Sequence, residues 1–324
     1  MASTDYRDLR KAAFQDYSVA STFNIIRLPA HVSPESGATL GVAFVAAALA
    51  LGICMGVNFE DVEGGPDLLG IVKKIGSERL PADIRQESLE GIAEGDRAKR
   101  GDYLVIWGGS STCAFVMKQI ARLAGLKIIS VVNSGKHGLR LSSHASIRPD
   151  LLVDSHDPDR AVSIIQSATA GTARFGFDTQ GKDTAAHLLR ALASPATSES
   201  TKLPLAEDYS KSSSADKLPT PPSTPSERSA TVVQRSHLVG LTGLPKTDIP
   251  DDVTLHSVPI KLFHEVPEVG EALSAWAEKL LKRGVLALPD VLGTVEGLDG
   301  INEGLDRLRK GEISGGRLVA VLKS

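Results

Sequence analysis

A glycine- and serine-rich turn between an apolar segment and a helical one is the part of this sequence best suited to bind a ligand. Tyr103–Trp107 consists of aliphatic and aromatic residues, which is typical of a buried strand. Gly108 and Gly109 open the turn, and residues 115–124 carry apolar side chains at helical spacing. Glycines let the backbone approach a phosphate closely, and the free N–H groups of a helix N-terminus point toward it. The pattern predicts an anion site, although it matches G-x-G-x-x-G/A only loosely.

A second strand is predicted at Lys127–Val132, directly after this helix. Strand, helix and strand within about 30 residues form a right-handed βαβ unit with two adjacent parallel strands. A carboxylate at the end of the second strand would bind the ribose 2′-hydroxyl of NAD. The chain instead has Asn133, Ser134 and Lys136 there, with Arg140 beyond. Small polar donors next to a cation suit a 2′-phosphate, so we expect NADP(H); the alternative is an ordinary polar loop with one solvated lysine.

Composition narrows the class of protein. The 324 residues could form one large domain or two ordinary ones, and 42% hydrophobic with 23% charged residues is typical of a soluble globular chain. A net charge of −3 gives no electrostatic reason to expect nucleic acid or an anionic membrane as partner. The two cysteines, Cys54 and Cys113, have neither the spacing of a zinc site nor the number for a disulfide framework. Residues 1–8 lack a signal-peptide pattern, so we expect a cytoplasmic protein without a bound metal.

One uncharged segment is long enough to suggest a membrane span instead of a cytoplasmic protein. Residues 40–59 are twenty residues without a charge, which is long enough to span a bilayer. Gly, Ala and Val dominate them, and the flanks carry Glu35 and Glu60 rather than a Lys/Arg cluster. We therefore predict a buried helix, with a membrane span as the alternative. Residues 61–100 are charged and broken by glycine and proline, which predicts surface helices or a lid.

The rest of the chain alternates between strand and helix patterns. Loose alternation over residues 11–28 predicts strands, and Ser33-Pro34 predicts a helix start. Further strands are predicted at 150–154, 175–178, 237–243, 253–260 and 314–322, and further helices at 157–168, 183–193, 268–283 and 297–310. Such alternation predicts an α/β fold with a doubly wound parallel sheet. Residues 194–235, rich in Ser, Thr and Pro, predict a disordered insertion.

Three motifs, in this order, resemble the medium-chain dehydrogenase/reductase superfamily. Residues 34–52 are similar to its interdomain helix, which starts as P-x-x-A-A-x-L. Residues 101–111 resemble G-D-x-V-L-V-x-G-G-S-S, the entry to its nucleotide-binding domain. Residues 304–319 are similar to its ending, G-L-D-x-L-x-x-G-K-x-S-G-x-K-L-V. Within the superfamily, the chain resembles the zinc-free fungal branch of enoyl reductases and quinone-oxidoreductase-like proteins.

The resemblance implies a division of the chain into parts. Residues 1–35 would be a remnant of an N-terminal GroES-like β domain, and residues 36–100 the interdomain helix and a charged lid-like segment. Residues 101–193 and 236–300 would form the Rossmann nucleotide-binding domain around the insertion at 194–235. Residues 301–324 would be a C-terminal helix and strand that return to the N-terminal part.

The resemblance also implies roles for single residues. The diphosphate and the 2′-phosphate edge would be held by Gly108, Gly109, Ser110, Ser111 and Thr112. The adenosine-phosphate pocket would be lined by Asn133, Ser134 and Lys136. Asp178 would lie at the nicotinamide ribose, Thr242 near the nicotinamide and Ser314 at the outer face of the cofactor. A substrate cavity would be lined by Gly41, Val42 and Phe44, and the catalytic residue is unknown.

The activity implied is reduction of an enone, enoyl or quinone-like small molecule by NADP(H) without zinc. Members of this branch often act in secondary metabolism beside polyketide synthases, and many form homodimers, so both are expectations for this chain. Only residues 11–28 can correspond to the end of the family's N-terminal domain. Two alternatives therefore stay open: a non-redox cyclase, isomerase or binding protein, and an inactive remnant of the fold.

Overall fold

The computed structural model describes residues 8–192 and 234–322. Strands β1–β8 in these ranges are Tyr103–Trp107, Lys127–Val132, Leu151–Asp154, Phe175–Asp178, Ser236–Gly240, Val253–Ser257, Val291–Glu296 and Arg317–Val321. Helices α1–α11 are Pro34–Ala38, Gly41–Leu49, Leu68–Ile75, Arg85–Glu90, Thr112–Leu123, Ser134–Ser143, Pro158–Thr169, Lys182–Leu192, Lys261–Glu265, Pro267–Lys282 and Gly300–Arg309. The disordered insertion predicted for residues 194–235 lies outside the described residues, apart from Gln234 and Arg235.

Six parallel strands form the main sheet, in the order β3-β2-β1-β4-β5-β6. This is the strand order of a doubly wound nucleotide-binding sheet, and the predicted fold class is confirmed. The chain reverses direction across the sheet between β1 and β4, where Trp107 pairs with Asp178 at the carboxyl ends of both strands. Ligands of such sheets bind in the crevice at this switch point.

Alternate residues of the strands pack in two separate hydrophobic cores, because successive side chains point to opposite faces of a sheet. Leu104 and Ile106 pack on one face against α2, α5 and α10. Val105 and Trp107 pack on the other face against α7 and α8. Helices on both faces explain why the strands read as continuous apolar runs.

Residues 41–54 of the uncharged segment form a largely buried helix, as predicted, whereas residues 55–59 are not helical. Helix α2 continues into one π-helical turn at Ala50–Cys54, and the side chains of this turn are all buried. Small residues are needed because neighbours approach closely: a Cβ on Gly52 would lie 2.6 Å from a Leu68 methyl carbon. Among the residues that the structure describes, no helix is long and apolar enough to cross a membrane.

Two local predictions are wrong. The strands expected over residues 11–28 are absent; this stretch has 3₁₀ turns at Leu9–Lys11 and Thr22–Asn24, and Tyr17 is 90% exposed. An alternating pattern forms a strand only where a neighbouring strand satisfies its backbone, and no strand within residues 8–192 and 234–322 pairs with this stretch. The charged segment at residues 61–100 is not confined to the surface, since Leu68 and Val72 of α3 are fully buried in the first core.

A second, two-stranded parallel sheet is formed by β7 and β8, and α11 connects them. Helix α11 and β8 lie where the C-terminal helix and strand are predicted. Gly304 lets α11 approach β8, since a Cβ there would lie 2.8 Å from a methyl carbon of Leu318. Phe14, near the N-terminus, lines a small pocket together with Leu318 of β8.

Candidate functional site

The turn after β1 has room only for glycine at its first two positions. The N–H groups of Gly108 and Gly109 both donate to the Val131 carbonyl at 3.1 Å, which holds the turn against β2. A Cβ on Gly109 would lie 1.8 Å from the Ser130 hydroxyl oxygen, and one on Gly108 would lie 2.3 Å from the Thr179 hydroxyl oxygen. Gly108 also has φ +77°, a conformation that costs glycine little. Both glycines are buried, so the close packing of this turn against β2 and against the segment after β4 requires them.

Helix α5 begins directly after this turn and is capped by the turn's own serine. The Ser111 hydroxyl accepts the Ala114 N–H at 3.1 Å, an N-cap bond that fixes the entry to the helix. Ser110, Ser111 and Thr112 are half-buried at the edge of the sheet. The positive end of the α5 dipole and its first N–H groups thus face the same edge as the glycines.

Lys118 lies beneath the turn and was missed by the sequence analysis. It is fully buried on α5, and its Nζ donates to the Gly109 carbonyl at 2.7 Å. Burial, together with the nearby charges of Arg140 and Arg122, lowers the pKa of Lys118 to about 7. An ammonium group has three donors, and among the described residues the recorded acceptor is this single carbonyl. The sequence signal was a lysine directly after the apolar residues 114–117.

The end of β4 is fastened to the glycine turn. Thr179 donates its hydroxyl hydrogen to the Gly108 carbonyl at 3.0 Å. One Asp178 carboxylate oxygen accepts the N–H groups of Gln180 and Gly181 at 3.0 and 2.8 Å. The other oxygen is buried with no partner among the described atoms, and burial raises the pKa of this carboxyl.

Thr242 follows β5 and joins the same edge. The Leu241 N–H donates to the Asp178 carbonyl at 3.0 Å. The Thr242 hydroxyl lies 3.8 Å from the position of a Cβ on Gly181. The structure thus brings together three predicted segments, the turns that carry Gly108, Asp178 and Thr242, at one end of the sheet.

The turn after β2 holds the predicted adenosine-phosphate residues, and a carboxylate lies among them. Asn133 caps α6 by accepting the Lys136 N–H at 2.9 Å. Ser134 donates its N–H and its hydroxyl hydrogen to one Asp154 oxygen, at 2.9 and 2.5 Å. These bonds and His156 hold the pKa of Asp154 far below its usual range. Lys136 is exposed, whereas Ser134 is already engaged.

Asp154 ends β3, which pairs with β2. It was missed because the sequence analysis looked for a carboxylate only at the end of β2. A carboxylate here accepts hydrogen bonds from hydroxyl groups and repels a phosphate, so its charge opposes the effect of Lys136 on any bound phosphate.

Ser314 lies beside α6. Its hydroxyl is 3.1 Å from the Nε2 atom of buried His137. The neighbouring Arg140 forms an ion pair with Asp290 at 2.5 Å, which ties the segment between α10 and β7 to the same helix. Ser314 is thus placed near the turn after β2, on a different side from Asp178 and Thr242.

The three predicted substrate residues are not brought together. Phe44 is fully buried and packs against Trp276, with ring centroids 5.6 Å apart. Gly41 lines a pocket of about 310 Å³, whereas exposed Val42 lines a different one of about 460 Å³. Phe44 therefore contributes to the core, and Val42 is the most accessible of the three.

Comparison with known proteins gives distant relatives. No family model matches the chain. A zinc-type alcohol dehydrogenase-like protein of Schizosaccharomyces pombe is 23% identical over 171 residues, which cover 53% of this chain and 39% of the relative. A trans-enoyl reductase of Gibberella fujikuroi is 23% identical over 313 residues, covering 96% of this chain and 72% of the relative. This chain thus spans about two-fifths of the first relative and less than three-quarters of the second.

The same kind of protein is found among solved structures. A Bacillus thuringiensis protein described as an NADPH:quinone reductase superposes with a TM-score of 0.58 at 13% identity, covering 95% of this chain and 70% of that one. The resemblance to the medium-chain dehydrogenase/reductase superfamily is confirmed. These relatives are oxidoreductases by name, and the superposition shows that this chain has the fold of the solved structure.

Proposed function

We propose that this chain is an NADP(H)-dependent oxidoreductase that reduces an enone, enoyl or quinone-like small molecule without a catalytic zinc ion. The observation that carries the proposal is the glycine turn at the switch point, which leads directly into the N-terminus of α5, the place where a cofactor diphosphate binds in such sheets. The names of the relatives, trans-enoyl reductase and NADPH:quinone reductase, support the reaction class.

Three observations test whether a dinucleotide fits this edge. Gly108 and Gly109 hold the turn close against Thr179 and Ser130, and the N-terminus of α5 follows directly at the switch point. Lys118 places a buried cation under that turn, and among the described residues its hydrogen-bond acceptor is the Gly109 carbonyl. Buried charges are normally paired, so a diphosphate would supply the missing counter-charge. The unpartnered Asp178 oxygen lies at the adjacent strand end, where it would accept a ribose hydroxyl hydrogen. The residues present fit the cofactor.

Each part of the edge would then have a distinct task. The backbone N–H groups of Ser110 and Thr112, at the start of α5, would bind the diphosphate, and Lys118 would offset its charge from below. Asp178 and Thr242 would orient the nicotinamide half, and Asn133 and Lys136 would bind the 2′-phosphate. When bound, the cofactor supplies a hydride to the substrate.

Zinc independence is part of the proposal. Among the described residues, the group of side chains able to hold a metal is Cys54, Glu87 and His256, which lies below the cofactor edge and involves strand β6, three strands from β1. Reduction of an enone or enoyl group needs a placed hydride and a pocket that polarises the carbonyl oxygen, and hydrogen-bond donors can supply the latter.

No catalytic residue is assigned. A cytoplasmic location, a homodimer and association with a polyketide synthase pathway are further predictions from the resemblance.

Cofactor titration tests the proposal directly. Trp107 ends β1 next to the glycine turn, and a Trp276→Phe variant would leave it as the single tryptophan. We expect saturable quenching by NADPH and NADP⁺, with weaker binding of NADH and NAD⁺. Absence of binding by all four would overturn the proposal, and equal binding would overturn its NADP part. NADPH consumption with an enone and quinone panel then tests the reaction class.

A further inference from the structure

Four side chains that can bind metals or protons lie together on one face of the sheet. His237 of β5 and His256 of β6 are buried, with Nδ1 of the first 2.8 Å from Nε2 of the second. Nδ1 of His256 is 2.8 Å from a Glu87 carboxylate oxygen. The sulfur of fully buried Cys54, a Glu87 oxygen and a His256 ring nitrogen all lie within 4.8 Å of one another.

Different parts of the chain converge to make this cluster. Cys54 ends the π-helical turn after α2, Glu87 is on α4, and His256 is on the edge strand β6. The π-helical turn lies against both α4 and β5. The cluster is therefore separate from the glycine turn, and neither the diphosphate nor the adenosine residues take part in it.

We propose that Cys54, Glu87 and His256 bind one divalent transition-metal ion of the zinc class. A thiolate, an imidazole nitrogen and a carboxylate oxygen are the ligand types of Zn²⁺, and three protein ligands leave a fourth tetrahedral position open. Ca²⁺ and Mg²⁺ prefer sites made of oxygen atoms, so sulfur and nitrogen select against them. The proposal does not depend on the proposed oxidoreductase activity.

The residues around this cluster hold the proposed metal ligands in place. A metal-binding histidine usually has its other ring nitrogen held by a hydrogen bond, and His237 holds that nitrogen of His256 here. The His237 ring is in turn stacked on Phe175, with centroids 5.7 Å apart. Among the described residues, no lysine or arginine forms an ion pair with Glu87. A divalent cation would therefore balance the charge of a partly buried carboxylate.

Metal stoichiometry in the full-length protein tests this proposal. The protein is stripped with a chelator, dialysed against Zn²⁺ with a competing chromophoric chelator, and its metal content measured. We expect one Zn²⁺ per chain, and Co²⁺ substitution should give a sulfur-to-cobalt charge-transfer band. Cys54→Ala should weaken Zn²⁺ binding at least about a hundredfold, because even loss of an outer hydrogen bond to a ligand costs about 10–100-fold. Cys113→Ala, at the only other cysteine, is the matched control and should bind normally.

Glu87→Gln separates metal binding from simple packing. An amide can still hydrogen-bond to His256, so this variant should fold, as checked by circular dichroism, yet lose Zn²⁺ affinity. If Cys54→Ala does not fold, Glu87→Gln still tests whether the cluster binds Zn²⁺. The absence of stoichiometric binding to the wild-type chain would overturn the proposal. Binding that survives in either Cys54→Ala or Glu87→Gln would overturn it as well.

Discussion

The turns after β1 and β2 are neighbours at the carboxyl edge of the sheet, but they are built differently. The turn after β1 is formed mainly by backbone atoms. Gly108 and Gly109 lie where no Cβ fits, and the buried Lys118 lies beneath them. The second is made of side chains, in which Ser134 is engaged by Asp154 and Lys136 is exposed. Under the proposed function, the rigid turn recognises the diphosphate that all dinucleotides share. The turn after β2, residues 133–136, distinguishes one dinucleotide from another and is called the adaptable turn below.

The largest effect is expected at Gly109. In Gly109→Ala the new Cβ would meet the Ser130 hydroxyl oxygen at 1.8 Å, so the turn must move away from β2. We expect NADPH affinity to fall at least about a hundredfold and stability by about 1–3 kcal/mol, the usual cost of overpacking. Titration and urea unfolding measure the two quantities.

Two variants control that experiment. Gly135→Ala lies in the adaptable turn, where a Cβ meets only an Asn133 oxygen at 3.5 Å, so binding should barely change. Gly109→Ala with Ser130→Ala removes the nearest obstacle and should recover part of the affinity. Normal binding by Gly109→Ala alone would show that the first turn is not rigid.

A smaller, pH-dependent effect is expected at Lys118. The pKa of about 7 means that its ammonium group loses its proton as pH rises through neutrality, so NADPH affinity should fall over that range. Lys118→Met should bind about tenfold more weakly at pH 6, in line with loss of a charge-assisted interaction, and its affinity should not vary there with pH. Lys74→Met, at an exposed position on α3, is the control. Identical pH profiles for Lys118→Met and wild type would contradict this role.

The free energy of unfolding should also depend on pH through Lys118. Folding lowers the Lys118 pKa from 10.5 to about 7, so the unfolded chain binds more protons between these values. The contribution of Lys118 to the free energy of unfolding must therefore rise with pH across this window. Lys118→Met should lose that rise, as measured by urea unfolding at several pH values.

The smallest effect concerns cofactor choice in the adaptable turn. Lys136→Ala should weaken NADPH binding several-fold and leave NADH binding nearly unchanged, because it removes one exposed cation. Asp154→Asn should shift preference the other way by removing the carboxylate that repels a 2′-phosphate. The ratio of the two dissociation constants measures both. A shift in the same direction for both variants would disprove opposing roles.

Local patterns predicted the elements around the first turn well. β1, β2 and β4 carry apolar runs bounded by glycine or polar residues, and their predicted and observed bounds coincide because each signal lies within a few residues. The alternation at residues 11–28 failed because a strand also needs a partner, which a local pattern cannot show. The candidate site residues at Gly108, Asp178 and Thr242 meet at one edge because parallel strands align their carboxyl ends.

The parts of the site that escaped prediction depend on contacts distant in sequence or hidden in the fold. Asp154 reaches Ser134 only because β3 pairs with β2. Lys118 has the residue type of a surface position, and burial alone reveals its role. Cys54 and His256 are about 200 residues apart, so no spacing motif could connect them.

The π-helical turn at Ala50–Cys54 determines where this helix tolerates a change in length. A π turn holds about one residue more than an α turn, so it accommodates a single-residue insertion in the helix that starts with α2. Deleting one residue between 50 and 53 would restore regular α geometry and leave Cys54 on the same side of the helix. Deleting one residue from the regular part, Gly41–Leu49, would instead rotate Cys54 by about 100° relative to the start of the helix, so single-codon deletions should be tolerated better in the π turn than in α2.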